Sequence, residues 1–226
     1  MRKRIIQFVS VLFFGVFVGC APMTPGDGTN ENARLRVVHA SPDAPAVDVC
    51  VNGAVAFSNA AFPSATEYAS VPAGTYAVRV VPSGASCDSA GVIDASLPLA
   101  KNTDTTVVAL NTLSEIEPLV LADDNEAPAG GNAKVRFVHA SPDAPTVDIT
   151  LTDGTTLFDD VSFKENAGYL EVGAGTVTLQ VRDESGTSVV LSVGPITLES
   201  GKVYTVYAVG FASGSPSLEA LLTVDN

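Results

Sequence analysis

Tryptophan is absent, and histidine occurs only twice, at positions 39 and 139. That excludes a His-rich metal centre and any broad indole platform for stacking a ligand. Charge is sparse as well. Charged residues are 16% of the chain, below the roughly 25% typical of soluble domains. Positive charge is the scarcer kind, with 12 Lys and Arg against 25 Asp and Glu and a formal net charge of −13. Phosphate binding needs a basic face, so nucleic acid is excluded as a partner. Long amphipathic helical patterns are missing, because Pro and Gly interrupt the chain at short intervals. The chain has no G-x-S-x-G elbow, H-E-x-x-H, P-loop or C-x-x-C, so no catalytic motif stands out. The expectation is a non-enzymatic protein without a required cofactor.

Apolar residues make up 46% of 226 residues, enough for packed cores and too many for a disordered chain. The N-terminus is a targeting signal. Arg2, Lys3 and Arg4 precede the apolar run IIQFVSVLFFGVFV at residues 5–18. That run is shorter than the roughly 20 residues needed to span a bilayer, and it fits a secretory signal. Phe17-Val18-Gly19-Cys20 resembles the bacterial lipobox. The resemblance implies a diacylglyceryl group on Cys20 and cleavage before it. Residues 1–19 are then a lipoprotein signal peptide. Residues 20–33 are the lipidated Cys and a Pro-, Gly- and Asn-rich tether, a flexible coil reaching about 20 Å. Acyl chains anchor such a protein without spanning the membrane. By similarity to bacterial lipoprotein sorting, Ala21 after the Cys points to the outer membrane or cell surface of the envelope.

The remainder is one unit written twice. Residues 34–51 read RLRVVHASPDAPAVDVCV and residues 134–151 read KVRFVHASPDAPTVDITL. His39 to Pro45 recur identically as His139 to Pro145. Ala73–Val80 matches Ala174–Val181, and Thr105–Ala109 matches Tyr204–Ala208. Two domains follow, at 34–125 and 134–226, joined by a linker at 126–133 (EAPAGGNA). Each is long enough to bury its own core. Within each, period-2 alternation dominates: Leu35, Val37 and His39 against Arg36 and Val38, and Tyr76, Val78 and Val80 against Ala77 and Arg79. Alternation predicts strands with one face in the core and the other in water. Seven or so short strands per copy predict an all-β protein of two tandem antiparallel β-sandwiches with Ig-like packing.

The HASPDAP motif is the sharpest local signal. Its prolines stiffen the corner between two strands, and Ser41 and Asp43 are suited to accept backbone amides there. The plain expectation is a structural corner, with His39 and His139 hydrogen-bonded to loop carbonyls. The alternative is a metal site from His39, Asp43 and Asp48, and again from His139, Asp143 and Asp148, of the mixed type that suits zinc or a related ion. Ser41 and Ser141 would complete a Ser-His-Asp set only if the geometry allowed it.

The repeated start VRxVHASPDAPxVD, the later AGTYxVxV strand and the YTVYAVG strand resemble the bacterial domain-of-unknown-function family 4397. The first copy departs from the third signature at Thr105–Ala109. The resemblance covers nearly all of the chain after Cys20. It implies an extracytoplasmic β-sandwich and brings no catalytic residues with it.

Two further cysteines, Cys50 and Cys87, lie in the first copy. Secretion permits a disulfide between them, with Cys50 on the outward side of its strand beside Asp48; two free thiols are the alternative. Asp123, Asp124 and Glu126 gather acid at the junction of the copies. A calcium ion there would stiffen the junction, since calcium takes oxygen ligands that two domains together can supply. Solvated acid that maintains solubility is the alternative. Tyr68, Phe62, Phe158 and Phe163 are candidates for an exposed aromatic binding patch. The expected function is a membrane-anchored envelope protein that binds an unknown protein or glycan. The alternatives are a spacer with a calcium-stiffened junction, or a metal-dependent enzyme at the His/Asp corners.

Overall fold

The computed structural model describes residues 31–226; Cys20 and the apolar run before it lie outside them. The alternating segments form strands, and the protein is all-β. In the first copy these are β1 (Asn32–His39), β2 (Val47–Val51), β3 (Ala54–Ala60), β4 (Ser64–Ala65), β5 (Ala69–Pro72), β6 (Gly74–Pro82), β7 (Ile93–Leu99), β8 (Asp104–Leu110) and β9 (Glu117–Asp123). One sheet runs β4-β1-β8-β9, with β5 also paired to β1, and the other runs β3-β2-β6-β7. The second copy has β10 (Asn132–His139), β11 (Val147–Leu151), β12 (Thr156–Val161), β13 (Asn166–Gly173), β14 (Gly175–Asp183), β15 (Val189–Leu198), β16 (Val203–Val209) and β17 (Glu219–Val224). Its sheets are β13-β10-β16-β17 and β12-β11-β14-β15. Among the described residues no helix is long and apolar enough to cross a membrane.

Each copy is a sandwich around its own core. Leu35, Val37, Val49, Val80, Leu97 and Val107 pack together in the first, and Val135, Phe137, Ile149, Val181, Leu198 and Val206 in the second. Full burial of one such side chain contributes about 1.5–3 kcal/mol. The β2–β3 hairpin turns on Asn52 and Gly53, both at positive φ (50° and 82°), as the tight hairpin turn requires.

One pairing in each sandwich differs from an all-antiparallel plan. β1 runs parallel to β8, with Val38 opposite Val108, and β10 runs parallel to β16, with Val138 opposite Tyr207. Parallel neighbours need a long crossover, and β2 to β7 or β11 to β15 provide it. Alternation reports which face is buried and not the direction of the neighbouring strand.

A larger difference lies on the outer faces of β1, β8, β10 and β16, which alternation assigns to water. They are covered. Val38, Ala40, Val108, Leu110 and Leu121 of the first copy pack against Val138, Ala140, Tyr207 and Val209 of the second in a third apolar core. These four strands are therefore buried on both faces, and Arg36 and Arg136 are only 2% and 0% exposed. The two sandwiches lie side by side, sheet on sheet. β9 ends at Asp123 and β10 starts at Asn132, so the last two residues of the expected linker belong to a strand.

Candidate functional site

The motif corners are built alike. At the end of β1 the His39 ring is completely buried. Its Nε2 donates to the Pro45 carbonyl at 3.1 Å, and His139 does the same to Pro145 at 3.0 Å. A carbonyl only accepts, so the proton sits on Nε2 and Nδ1 is left as a lone pair. Nδ1 has no partner in either ring. Phe62 and Phe163 stand edge-on to the two rings, at 6.3 and 6.2 Å between centroids. Burial pushes both histidines below the ordinary imidazole pKa, so they are neutral at neutral pH.

The motif carboxylates point elsewhere. Asp43 accepts the Leu113 amide at 2.7 Å. Asp143 accepts those of Ala212 and Ser213 at 2.6 and 3.0 Å. Each ties its corner to the loop after β8 or β16. Ser141 donates to the Gly210 carbonyl at 2.7 Å. A Cβ at Gly210 would lie 2.2 Å from the Ser217 carbonyl oxygen. Asp48 accepts the amides of Asn59 at 2.7 Å and Gly84 at 2.9 Å, and the Ser83 hydroxyl at 3.1 Å. The Asn59 and Gly84 amides hold it below the usual carboxylate range. The metal set expected from His39, Asp43 and Asp48 therefore does not assemble, nor does its counterpart at His139, Asp143 and Asp148. The Nε2 atoms and the carboxylates go separately, mainly to backbone partners, as corners require. Among the described residues the acidic side chains that do converge are Asp148, Asp159 and Asp160. Repulsion from Asp148, and then from Asp160, raises the Asp159 pKa.

Cys50 and Cys87 form a disulfide, with Cα atoms 5.8 Å apart. Cys50 does lie on the outer face of its sheet, yet it is 1% exposed. The bond draws the Cys87 loop over it, and Arg79 donates to the Cys87 carbonyl at 3.2 Å. In the second copy Thr150 takes that position and accepts from Arg182 at 3.1 Å.

A buried polar cluster lies between the copies, where sequence reading placed solvent. Arg36 donates to Thr106 of its own copy at 3.1 Å and to Asp225 of the other at 2.6 Å. Arg136 donates to Thr205 of its own copy at 3.0 Å and to Asp123 of the other at 2.7 Å. Thr106 and Thr205 donate in turn to Asp123 and Asp225, at 2.6 and 2.5 Å. Tyr68 stacks on Arg36 and Tyr169 on Arg136, with guanidinium carbons 4.5 and 4.6 Å from the ring centroids. Lys134 reaches Asp124 at 2.9 Å, and Lys164 pairs with Glu117. Burial alone would depress the Arg36 pKa, but its polar surroundings, the Asp225 carboxylate among them, raise it overall and hold the group charged. Burial raises the Tyr207 pKa, so its hydroxyl stays protonated.

Two expectations are corrected here. Asp123, Asp124 and Glu126 do not form a calcium cradle. The Asp123 carboxylate is buried and accepts from Arg136, Thr106 and Tyr68, the last at 2.7 Å, Asp124 is paired with Lys134, and the Glu126 amide folds back onto Asp124 at 3.2 Å. The aromatic surface patch does not form either. Phe158 is in the second core, Phe62 and Phe163 pack against the third, and Tyr68 covers Arg36. The larger exposed apolar side chains are instead Val55, Leu113, Val120, Leu170, Val189, Val190, Leu222 and Val224. One signal for the covered face was present in the sequence. TTVVAL at 105–110 and YTVYAV at 204–209 are apolar on both alternating sets, the mark of strands buried on two sides.

The family model described as "Domain of unknown function (DUF4397)" matches residues 33–150 and 140–226. The chain belongs to this family. The first DUF4397 match runs beyond the first copy into the second, and the two matches overlap at residues 140–150. No curated protein matches the chain. Among solved structures, the C-terminal domain of AlgF from P. aeruginosa is 22% identical over 43% of this chain and 99% of that one, with a TM-score of 0.31. A leucine-rich repeat protein from Bacteroides thetaiotaomicron is 12% identical over 77% of this chain and 25% of that one, with a TM-score of 0.18. Both scores fall below the level at which a shared fold follows, and the DUF4397 description names no activity.

Proposed function

We propose that the protein is a lipid-anchored component of the bacterial cell envelope, at the outer membrane or surface, whose two-copy body binds another protein or a glycan without catalysing a reaction. The observation that carries this reading is how the repeated motif is used. The His and Asp side chains of both HASPDAP corners bond to the backbone of their own copy, so the repeated motif's polar groups serve construction. What the body offers outward is sheet edges and loops, the usual binding surfaces of sandwiches. β9 and β17 are such edges, with Val120 and Val224 each about half exposed. A spacer gains reach from domains joined end to end; the side-by-side copies favour binding over that alternative.

The test has two arms. Cys20→Ala is expected to move the protein from the membrane fraction to the soluble one; retention on the membrane without detergent overturns the anchor. Residues 21–226, immobilised, are then exposed to detergent-solubilised envelope and to extracellular polysaccharide. Specific retention that free protein competes away, equal with calcium and with chelator, is expected. Absence of any competed retention overturns the binding reading.

A further inference from the structure

The contacts between the copies are reciprocal. Arg36 reaches Asp225 while Arg136 reaches Asp123. Strand register makes these the same contact made twice. Arg36 is opposite Thr106, which is opposite Leu121, and Arg136 is opposite Thr205, which is opposite Thr223. Asp123 and Asp225 each follow two residues later. The apolar pairs repeat the pattern, Val38 with Val138 and Ala40 with Ala140 in one core. Reciprocal contacts of this kind are the signature of a two-fold dimer interface. The surface is desolvated and apolar, and its buried charges are hydrogen-bonded, as a permanent interface requires.

The symmetry is broken at its centre. Tyr207 sits where the first copy has Val108, and its hydroxyl is 3.5 Å from Arg36. Its ring is completely buried. Two first copies would face each other with valines and a void. Two second copies would bring two tyrosines into the space that now holds one. Only a first copy against a second fills the seam, since both cavities and overpacking are unfavourable.

We infer that this seam is a docking surface for a second copy of the same domain, selective for a Val108 face against a Tyr207 face. The tandem chain is such a dimer closed within one polypeptide. The linker supplies local concentration, and the seam supplies the association.

A protease site inserted between Glu126 and Gly130 allows the folded chain to be cut. The two fragments are expected to coelute at the volume of the uncut protein and to stay together on dilution to about 1 µM. The same cut chain carrying Val108→Tyr, which overfills the centre, should dissociate at least about tenfold more readily. Circular dichroism of the uncut variant checks that it folds. Three results overturn the inference: separation of the wild-type fragments, their aggregation on cutting, or coelution that Val108→Tyr leaves unchanged. The last would show that something other than the seam holds the fragments. None of these results bears on the proposed anchoring or ligand binding.

Discussion

Arg36 of the first copy donates to Asp225 of the second at 2.6 Å, across 189 residues of chain, and both side chains are buried. Removing one member of such a pair strands the other charge. Asp225→Ala is expected to cost about 3–5 kcal/mol, because the Arg36 guanidinium would stay buried without its carboxylate. Replacing both, Arg36→Met with Asp225→Leu, should recover most of that loss. Urea denaturation of the soluble chain measures each variant. Equal loss in the single and double variants would show that desolvation of a lone charge is not the cause.

The shared third core predicts one cooperative unfolding transition for both copies. Leu110 and Val209 are fully buried between them, so neither copy unfolds without exposing the other's surface. Calorimetry should give a single peak with calorimetric and van't Hoff enthalpies equal. Two resolved peaks would mean that the copies unfold independently.

His39 and His139 predict acid sensitivity. Burial lowers both pKa values below the ordinary imidazole value of about 6.5. Above that value both folded and unfolded chains hold neutral rings. As pH falls below 6.5 the unfolded chain takes up protons that the folded one does not, so stability falls until the folded pKa is reached. The slope is at most about 1.4 kcal/mol per pH unit for each ring. Between pH 6.5 and 5, above the carboxylate range, His39→Gln with His139→Gln should flatten this slope while lowering stability at pH 8. An unchanged slope would locate the proton uptake elsewhere.

The Cys50–Cys87 bond spans 37 residues and should contribute roughly 3.5–4 kcal/mol by restricting the unfolded chain. Cys50→Ser with Cys87→Ser should lower the urea midpoint accordingly and leave the second copy's contacts intact. A midpoint equal to that of the oxidised parent would show that strain cancels the gain.

Asp159 lies beside Asp148 and Asp160, and their charges raise its pKa. At neutral pH this repulsion opposes folding. Asp159→Asn is expected to raise Tm slightly in low salt, and the gain should shrink as salt is added. A lower Tm would mean that the carboxylate makes a contact worth more than the repulsion.

Alternation and turn chemistry placed the strands because both depend on neighbours in sequence. The corners at HASPDAP were legible for the same reason: a Pro-stiffened loop between strands needs local hydrogen bonds, and Asp43 and Asp143 provide them. The Cys50–Cys87 pairing was legible as a choice between two states. Arg36 was not legible. Between Leu35 and Val37 it resembles any solvent-facing arginine, and only its partner's position makes it buried.

What this sequence determined by itself was therefore local: two copies of one unit, the β pattern of each and the corners where each turns. The tertiary structure alone decided what covers the outer faces of β1, β8, β10 and β16. It also decided that Asp123 is an ion-pair partner instead of a metal ligand. The physical reason is that a strand's pattern states which side chains avoid water and not what excludes it. Here the covering surface is the other copy, brought in from about 100 residues away, and its charges complete the first copy's own.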